Sequence, residues 1–243
     1  MPTYRLDVSY DGAPFHGFAR QDGVRTVQGD IEGVLERVLR TPVRTVCAGR
    51  TDTGVHARRQ VMSFVVDEPA DPATVARAIN GLLGPEVACT GCVLVDDTFD
   101  ARFSALWRSY RYRVLDAAVA DPLRRNTVWH VMDRLDLDAM NRAASGFVGE
   151  HDFASFCRRA EGRTTTRTVT EAVWQTAGDE KLFAITATAF CHQMVRSIVG
   201  FCVDAGRGRV DPDSVPEVLA ARDRSAARPI APPHGLVLWE VGY

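Results

Sequence analysis

At 243 residues the chain is longer than one typical domain and shorter than two large ones, so it has room for one sizeable core or two small, closely packed ones. Its 46% apolar, 8% aromatic and 25% charged residues are those of a globular protein and exclude the collagen-like, disordered and disulfide-dense classes. The 29 basic and 31 acidic residues leave a formal charge of −2, which argues against indiscriminate coating of nucleic acid and leaves a local basic groove open.

The elements follow in chain order. Tyr4, Leu6, Val8 and Tyr10 alternate with Arg5, Asp7 and Ser9, which predicts a strand with one apolar face. Val27, Ile31, Val34, Leu35, Val38 and Leu39 recur at helical spacing behind Thr26, a capping residue. Short apolar runs at about 43–48 and 60–66 predict two strands joined through GRTDTGVHARR. A second helix opens after Asp71-Pro72, and a strand covers about 87–95. The resulting order, β-α-β-β-α-β, is the ferredoxin-like arrangement.

Past residue 105 the theme returns less cleanly. Tyr110, Tyr112 and Val114 share one face of a strand, with Arg111 and Arg113 on the other. A strand near 127–132, a helix near 136–149, strands at about 165–176 and 182–190, and a helix with Val195, Ile198, Val199, Cys202 and Val203 as its apolar stripe come next. A short helix after Asp211-Pro212 and a strand alternating Val237, Trp239, Val241 and Tyr243 end the chain. The expectation is an α+β protein of two ferredoxin-like halves, 1–105 and 106–243, with mainly antiparallel sheets that each leave a face free to bind something and meet around a central cleft.

No apolar run approaches the roughly 18 residues of a membrane helix, and MPTYRLDVSYDG has no signal-peptide pattern, so the expected location is cytoplasmic, with no membrane partner. Six cysteines are then expected as reduced thiols. In a strand, the spacing Cys89-Thr90-Gly91-Cys92 would put the two thiols on opposite faces, as core residues. All basic residues but Lys181 are arginines, and guanidinium forks suit phosphate and base edges. The stretches Arg108–Arg113 and Arg158–Arg167 concentrate such forks.

The nine residues Gly49-Arg50-Thr51-Asp52-Thr53-Gly54-Val55-His56-Ala57 carry the strongest chemical signal. They place an Asp, a His and an Arg among glycines in a loop held on strands, where catalytic groups concentrate. Turn chemistry alone is the plainer alternative, with Asp52 and Thr53 giving hydrogen bonds and Gly54 a positive φ. Asp52-Thr53-Gly54 also matches the aspartic-protease signature. That chemistry needs two carboxylates sharing a proton, and Arg50, Arg58 and Arg59 oppose the raised pKa this requires.

The loop resembles the catalytic motif GRTDxGVHA of the TruA family of tRNA pseudouridine synthases. Tyr10-Asp11-Gly12 with Phe15, Gly17 and Gln21 is similar to the family's YDGxxFxGWQxQ, with Phe18 and Ala19 in place of Trp and Gln. Phe103-Ser104-Ala105 with Arg108, Tyr110, Arg111 and Tyr112 resembles FSAxxRxYxY, and Gly149 to Phe156 resembles GxHDFxSF. Phe190 with Met194-Val195-Arg196 and Val199-Gly200 is similar to FLxxMVRxxVG, with Cys191 for the usual Leu, and Ala231-Pro232-Pro233-His234-Gly235-Leu236 completes the set.

The resemblance implies an isomerase that turns uridine into pseudouridine at nucleotides 38–40 of the tRNA anticodon arm, as a homodimer, with no metal or organic cofactor. Asp52 would be the nucleophile, attacking either the uracil ring or the ribose. Arg196 would be its cationic partner, Tyr110 would stack on the base and help to remove a ring proton, and Leu236 would wall the other side. Arg50 would fill the space left by the extruded nucleotide, with Arg108 and Arg111 on the RNA backbone. A non-catalytic RNA-binding protein of the same fold is the alternative, against which intact Asp52, Tyr110 and Arg196 argue.

Overall fold

In a computed structural model, which describes residues 1–158, 162, 164–227 and 229–243, the strands are β1 (Thr3–Tyr10), β2 (Thr45–Cys47), β3 (His56–Val65), β4 (Val87–Val95), β5 (Trp107–Asp116), β6 (Trp129–Val131), β7 (Gly149–Asp152), β8 (Thr166–Ala177), β9 (Glu180–Ala187) and β10 (Leu236–Gly242). The helices are α1 (Val27–Leu39), α2 (Pro72–Leu83), α3 (Leu137–Ser145), α4 (Met194–Gly206) and α5 (Val215–Ala221). Among the described residues no helix is long and apolar enough to cross a membrane. The chain is α+β with mainly antiparallel pairing, and it divides into two units: Met1–Leu106 with Val237–Tyr243, and Trp107–Leu236.

In the first unit β1 lies between β4 and β3, antiparallel to both, and β2 pairs antiparallel with β3, which is the ferredoxin-like order. Thr26 caps α1 by accepting from Gly29 N–H, and Asp71 caps α2 ahead of Pro72. The α1 face Val27, Ile31, Val34 and Leu35 is buried, each side chain contributing roughly 1.5–3 kcal/mol.

One acidic residue joins this face. Glu32 is 1% exposed, and its carboxylate accepts from Thr45 N–H at 2.9 Å, the Thr45 hydroxyl at 3.0 Å, Gln28 Nε2 at 3.1 Å and Arg20 at 3.1 Å. That set of donors replaces the water the carboxylate gives up and ties α1 to β2.

Two details depart from the sequence expectation. The pairing of β1 with β4 shifts register between Asp7 and Val8, setting Leu6 opposite Cys92 and Val8 opposite Cys89. The extra residue of that bulge, Thr90, brings both cysteines onto one face, where simple alternation puts them on opposite faces. The last strand, expected with residues 106–243, pairs in parallel with β3 through Val237 opposite His56 and Leu238 opposite Ala57. Further contacts hold it in the first unit: Arg58 stacks on the Trp239 ring at 4.4 Å, Arg59 pairs with Glu240 at 3.1 Å, and the Tyr243 hydroxyl donates to Ala101 O at 2.6 Å.

In the second unit β9 lies between β5 and β8, antiparallel to both, β7 continues beyond β8, and β6 pairs in parallel with β5. The expected 136–149 helix stops at Ser145, where the Gly146 N–H caps it, and the chain then enters β7. The helix α4 is buried on every side rather than along one stripe: Arg196 is its one residue that is not buried.

Replacing Glu32 by Ala strands the buried Thr45 N–H and hydroxyl donors, so we expect a loss of about 2–4 kcal/mol in chemical denaturation. A variant within experimental error of the parent would contradict the buried-carboxylate account of how α1 docks.

Candidate active site

The Asp52 loop belongs to the first unit and is pinned from below by the residues that follow β1. Tyr10 and Thr51 share a hydroxyl–hydroxyl bond of 2.8 Å, and Phe18 N–H donates to Thr51 O at 3.0 Å. Asp52 O accepts from Val55 N–H at 3.1 Å, closing a turn in which Gly54 takes a φ of 78°. Gln60 Nε2 donates to Gly49 O at 2.6 Å, fixing the start of the loop. Asp52 is half-exposed and Arg50 exposed, while Thr51 and Val55 on either side are buried. The backbone is thus anchored on both flanks of the carboxylate, which leaves the side chain turned partly to solvent.

His56 completes the anchor. Its Nδ1 is 3.0 Å from both Gly12 N and Asp11 Oδ1, and one ring nitrogen cannot accept from an amide and donate to a carboxylate at once. Gly12 is buried and needs an acceptor, whereas Asp11 Oδ1 already receives Ala13 N–H at 2.9 Å. Nδ1 therefore accepts from Gly12. The fit at Gly12 is tight: a Cβ there would lie 2.1 Å from Val55 O. Phe18, standing where the family motif has Trp, is fully buried with its ring 6.0 Å from Tyr10, so the replacement keeps the aromatic prop.

The remaining candidates are in the second unit. Tyr110, on β5, is 8% exposed and meets the Phe190 ring edge-on at 5.0 Å. Arg196 Nε donates to Ala231 O at 2.8 Å, and Ala231 N–H donates to Arg196 O at 3.0 Å, so the 231–236 segment clamps this arginine. The same segment accepts the Tyr112 hydroxyl at Pro232 O, 2.8 Å away, and a Cβ on Gly235 would strike the Tyr112 ring at 2.6 Å. Burial holds the Tyr112 phenol well above the usual range, offset in part by the Arg196 charge. Leu236 opens β10 and is 5% exposed.

The arginine-rich stretches divide by environment. Arg108 is 8% exposed and donates to Thr188 O at 2.9 Å, while Arg111 is half-exposed. Arg113 is committed to Glu180 by bonds of 2.6 and 2.8 Å. Arg158 is exposed, Arg167 half-buried, and Arg159 and Arg163 lie outside the described residues.

Sequence reasoning named Asp52, Tyr110, Arg196 and Leu236 and missed their supports: His56 under Gly12, Tyr112 under Gly235, and the Ala231 backbone on Arg196. The glycines were the available signal, since a glycine beside an aromatic or a histidine often marks a close backbone approach. The GEHDFASF stretch is structural: Phe153 and Phe156 are fully buried against Phe147, and Asp152 caps the turn at Ala154 N–H.

A family profile described as "tRNA pseudouridine synthase" matches residues 8–104 and 143–243. The chain belongs to the tRNA pseudouridine synthase family. Three relatives called "tRNA pseudouridine synthase A" agree along nearly the whole length. That of Frankia casuarinae is 48% identical over 242 residues, covering 98% of this chain and 88% of the relative. The proteins of Leifsonia xyli (42% identical; 99% and 91% covered) and Methylobacterium nodulans (45%; 100% and 96%) are similar to the same extent. Among solved structures, a chain of a Cbf5-Nop10-Gar1 complex is 14% identical with a TM-score of 0.39 over 82% of this chain and 44% of that one, a likeness that carries no argument. Membership makes the protein an isomerase and leaves the aspartic-protease and non-catalytic readings without support.

In a tRNA pseudouridine synthase built this way, Gly12→Ala forces Val55, and with it the Asp52 turn, to move. We expect turnover to fall on the order of 100-fold. Circular dichroism should still report a folded chain. Unchanged turnover would show that the Gly12–Val55 contact does not position the loop.

Proposed function

We propose that the protein converts uridine into pseudouridine at nucleotides 38–40 of the anticodon arm of tRNA, acting in the cytoplasm as a homodimer with Asp52 as its nucleophile. The observation that carries this reading is the anchored turn, which holds a half-exposed carboxylate between buried Thr51 and Val55 inside the span that defines the family. The chemistry suits a carboxylate. It attacks one carbon of the uracil ring or of the ribose; the C1′–N1 bond breaks, the uracil turns, and a C1′–C5 bond forms. Loss of the C5 proton and departure of the carboxylate then release an isomer with no net change in composition. Metal or organic cofactor plays no part in this scheme.

Arg196 is proposed as the counter-charge that keeps Asp52 ionised beneath the RNA. Its support is that a helix otherwise buried presents this one residue, with its Nε already fixed by Ala231. Tyr110, braced edge-on by Phe190, is proposed to stack on the base and help draw off the C5 proton, and Leu236 to form an apolar wall. A uridine in the stem must leave the helix to react, at a cost of a few kcal/mol. Exposed Arg50 is proposed to occupy the vacated place, and Arg108 and Arg111 to contact the RNA backbone.

With tRNA tritiated at uracil C5, Asp52→Asn should reduce tritium release by roughly 10⁴-fold or more while filter binding stays within about threefold of the parent. Appreciable release by this variant would end the nucleophile assignment. Arg196→Met should lower turnover on the order of 100-fold or more, again with small effect on binding, because the loss falls on charge developed during reaction. Equal losses in turnover and affinity would mean that Arg196 only holds RNA.

A further inference from the structure

The six cysteines differ sharply in chemistry. Burial pushes the Cys47 thiol up to about 11 and those of Cys92 and Cys202 up to about 12, and it raises Cys89 as well. These are inert thiols. Cys157 and Cys191 are different because they lie on adjoining segments. Arg158 N–H donates to His192 O at 3.0 Å, laying the two segments side by side, and each of the two thiols is the largest influence on the other's titration. Cys157 is 1% exposed, whereas Cys191 is half-exposed and lies 3.9 Å from Thr165 O. An open cavity of about 620 Å³ is lined by Arg158, which follows Cys157, and by Gln193, two residues past Cys191. Cys191 itself is the member of the pair that solvent reaches.

We propose that Cys157 and Cys191 are a peroxide-sensitive dithiol that closes reversibly to a disulfide. Cys191 is the attacking member: it is half-exposed where Cys157 is buried, and the Cys157 thiol lowers its pKa, with Arg167 assisting and burial and Asp152 opposing. The Cys191 thiolate attacks one oxygen of hydrogen peroxide, forming an S–O bond as the O–O bond breaks, and the departing hydroxide takes up a proton to become water. The Cys157 thiol then attacks the sulfenic sulfur and gives up its proton, the S–S bond forms, and the sulfenic hydroxyl leaves as a second water. Two thiols are oxidised by two electrons and one peroxide is reduced to two waters. A dithiol reductant reverses the change.

The pair is set into the frame of the candidate site. Cys191 follows Phe190, which braces Tyr110, and precedes α4, which carries Arg196, with Gln193 between them at a φ of 65°. The left-handed turn at Gln193 leaves this connection little slack. Drawing Cys191 toward Cys157 therefore displaces Phe190 or the start of α4, and turnover falls. That consequence rests on the proposed function; the thiol chemistry does not.

The test uses the reduced full-length protein and hydrogen peroxide. Free thiols should fall from six to four, the two lost being those of one disulfide, and a non-reducing proteolytic map should join the Cys157 and Cys191 peptides. Dithiothreitol should restore both thiols and turnover. Cys191→Leu should keep the parent's turnover and slow thiol loss by about tenfold or more. Cys157→Ser should halt at a Cys191 sulfenic acid, trapped by dimedone. A map without the 157–191 link, a link between Cys89 and Cys92 instead, or unchanged thiol loss in Cys191→Leu would overturn the proposal. A disulfide that forms without lowering turnover would overturn the switch. A reduced parent that makes no pseudouridine at all would count against the proposed function and leave the dithiol standing.

Discussion

The structure depends on one constraint: a short turn carrying an acidic residue must be held rigid while its side chain stays accessible. Turns of this kind are ordinarily mobile because few of their backbone groups are paired. Here the partners come from a segment some forty residues earlier. Tyr10 takes the Thr51 hydroxyl, Phe18 the Thr51 carbonyl, and Gly12 reaches His56 across a gap that only a glycine fits. The ferredoxin-like order makes this possible, because pairing β1 with β3 brings the loop after one strand against the loop before the other. Tyr10 lies opposite Ala57, so the two motifs meet where the strands end.

The second unit solves a related problem with different means. An arginine proposed as a counter-charge must be held in a fixed orientation. Arg196 projects from a helix buried on all other sides, and its Nε donates to a backbone carbonyl, which orients the guanidinium. Arg113 and Arg124 pair with Glu180, where they stabilise the end of the β8–β9 hairpin. The APPHGL segment serves both Arg196 and Tyr112, which explains why a run with two prolines and a glycine stands before the last strand.

Much of this was legible in the sequence wherever the signal was local. β1, α1, α2, β4 and α4 follow from periodicity, and Thr26 and Asp71 act as the caps their positions imply. What escaped depends on partners distant in the chain. β3 begins at His56 because it pairs with β1 and β10, although consecutive exposed Arg58 and Arg59 break the alternation that would announce a strand. The bulge at Thr90 adds one residue and reverses the facing of everything beyond it, which no count of period two detects. Glu32 looks like a solvated helix residue until the Thr45 donors supply its reason to be buried. At the candidate site the chemistry-bearing residues were named from motifs, while the carbonyls and glycines that hold them carry no side-chain signature of their own.

The central claim, that Asp52 performs an isomerisation on the anticodon arm, is tested most directly by chemical mapping of pseudouridine in tRNA from cells lacking this gene. Pseudouridine at nucleotides 38–40 should be absent, should return when the parent protein is supplied, and should stay absent when the supplied protein carries Asp52→Asn. Its return with the asparagine variant, or its presence in the cells without the gene, would contradict the account.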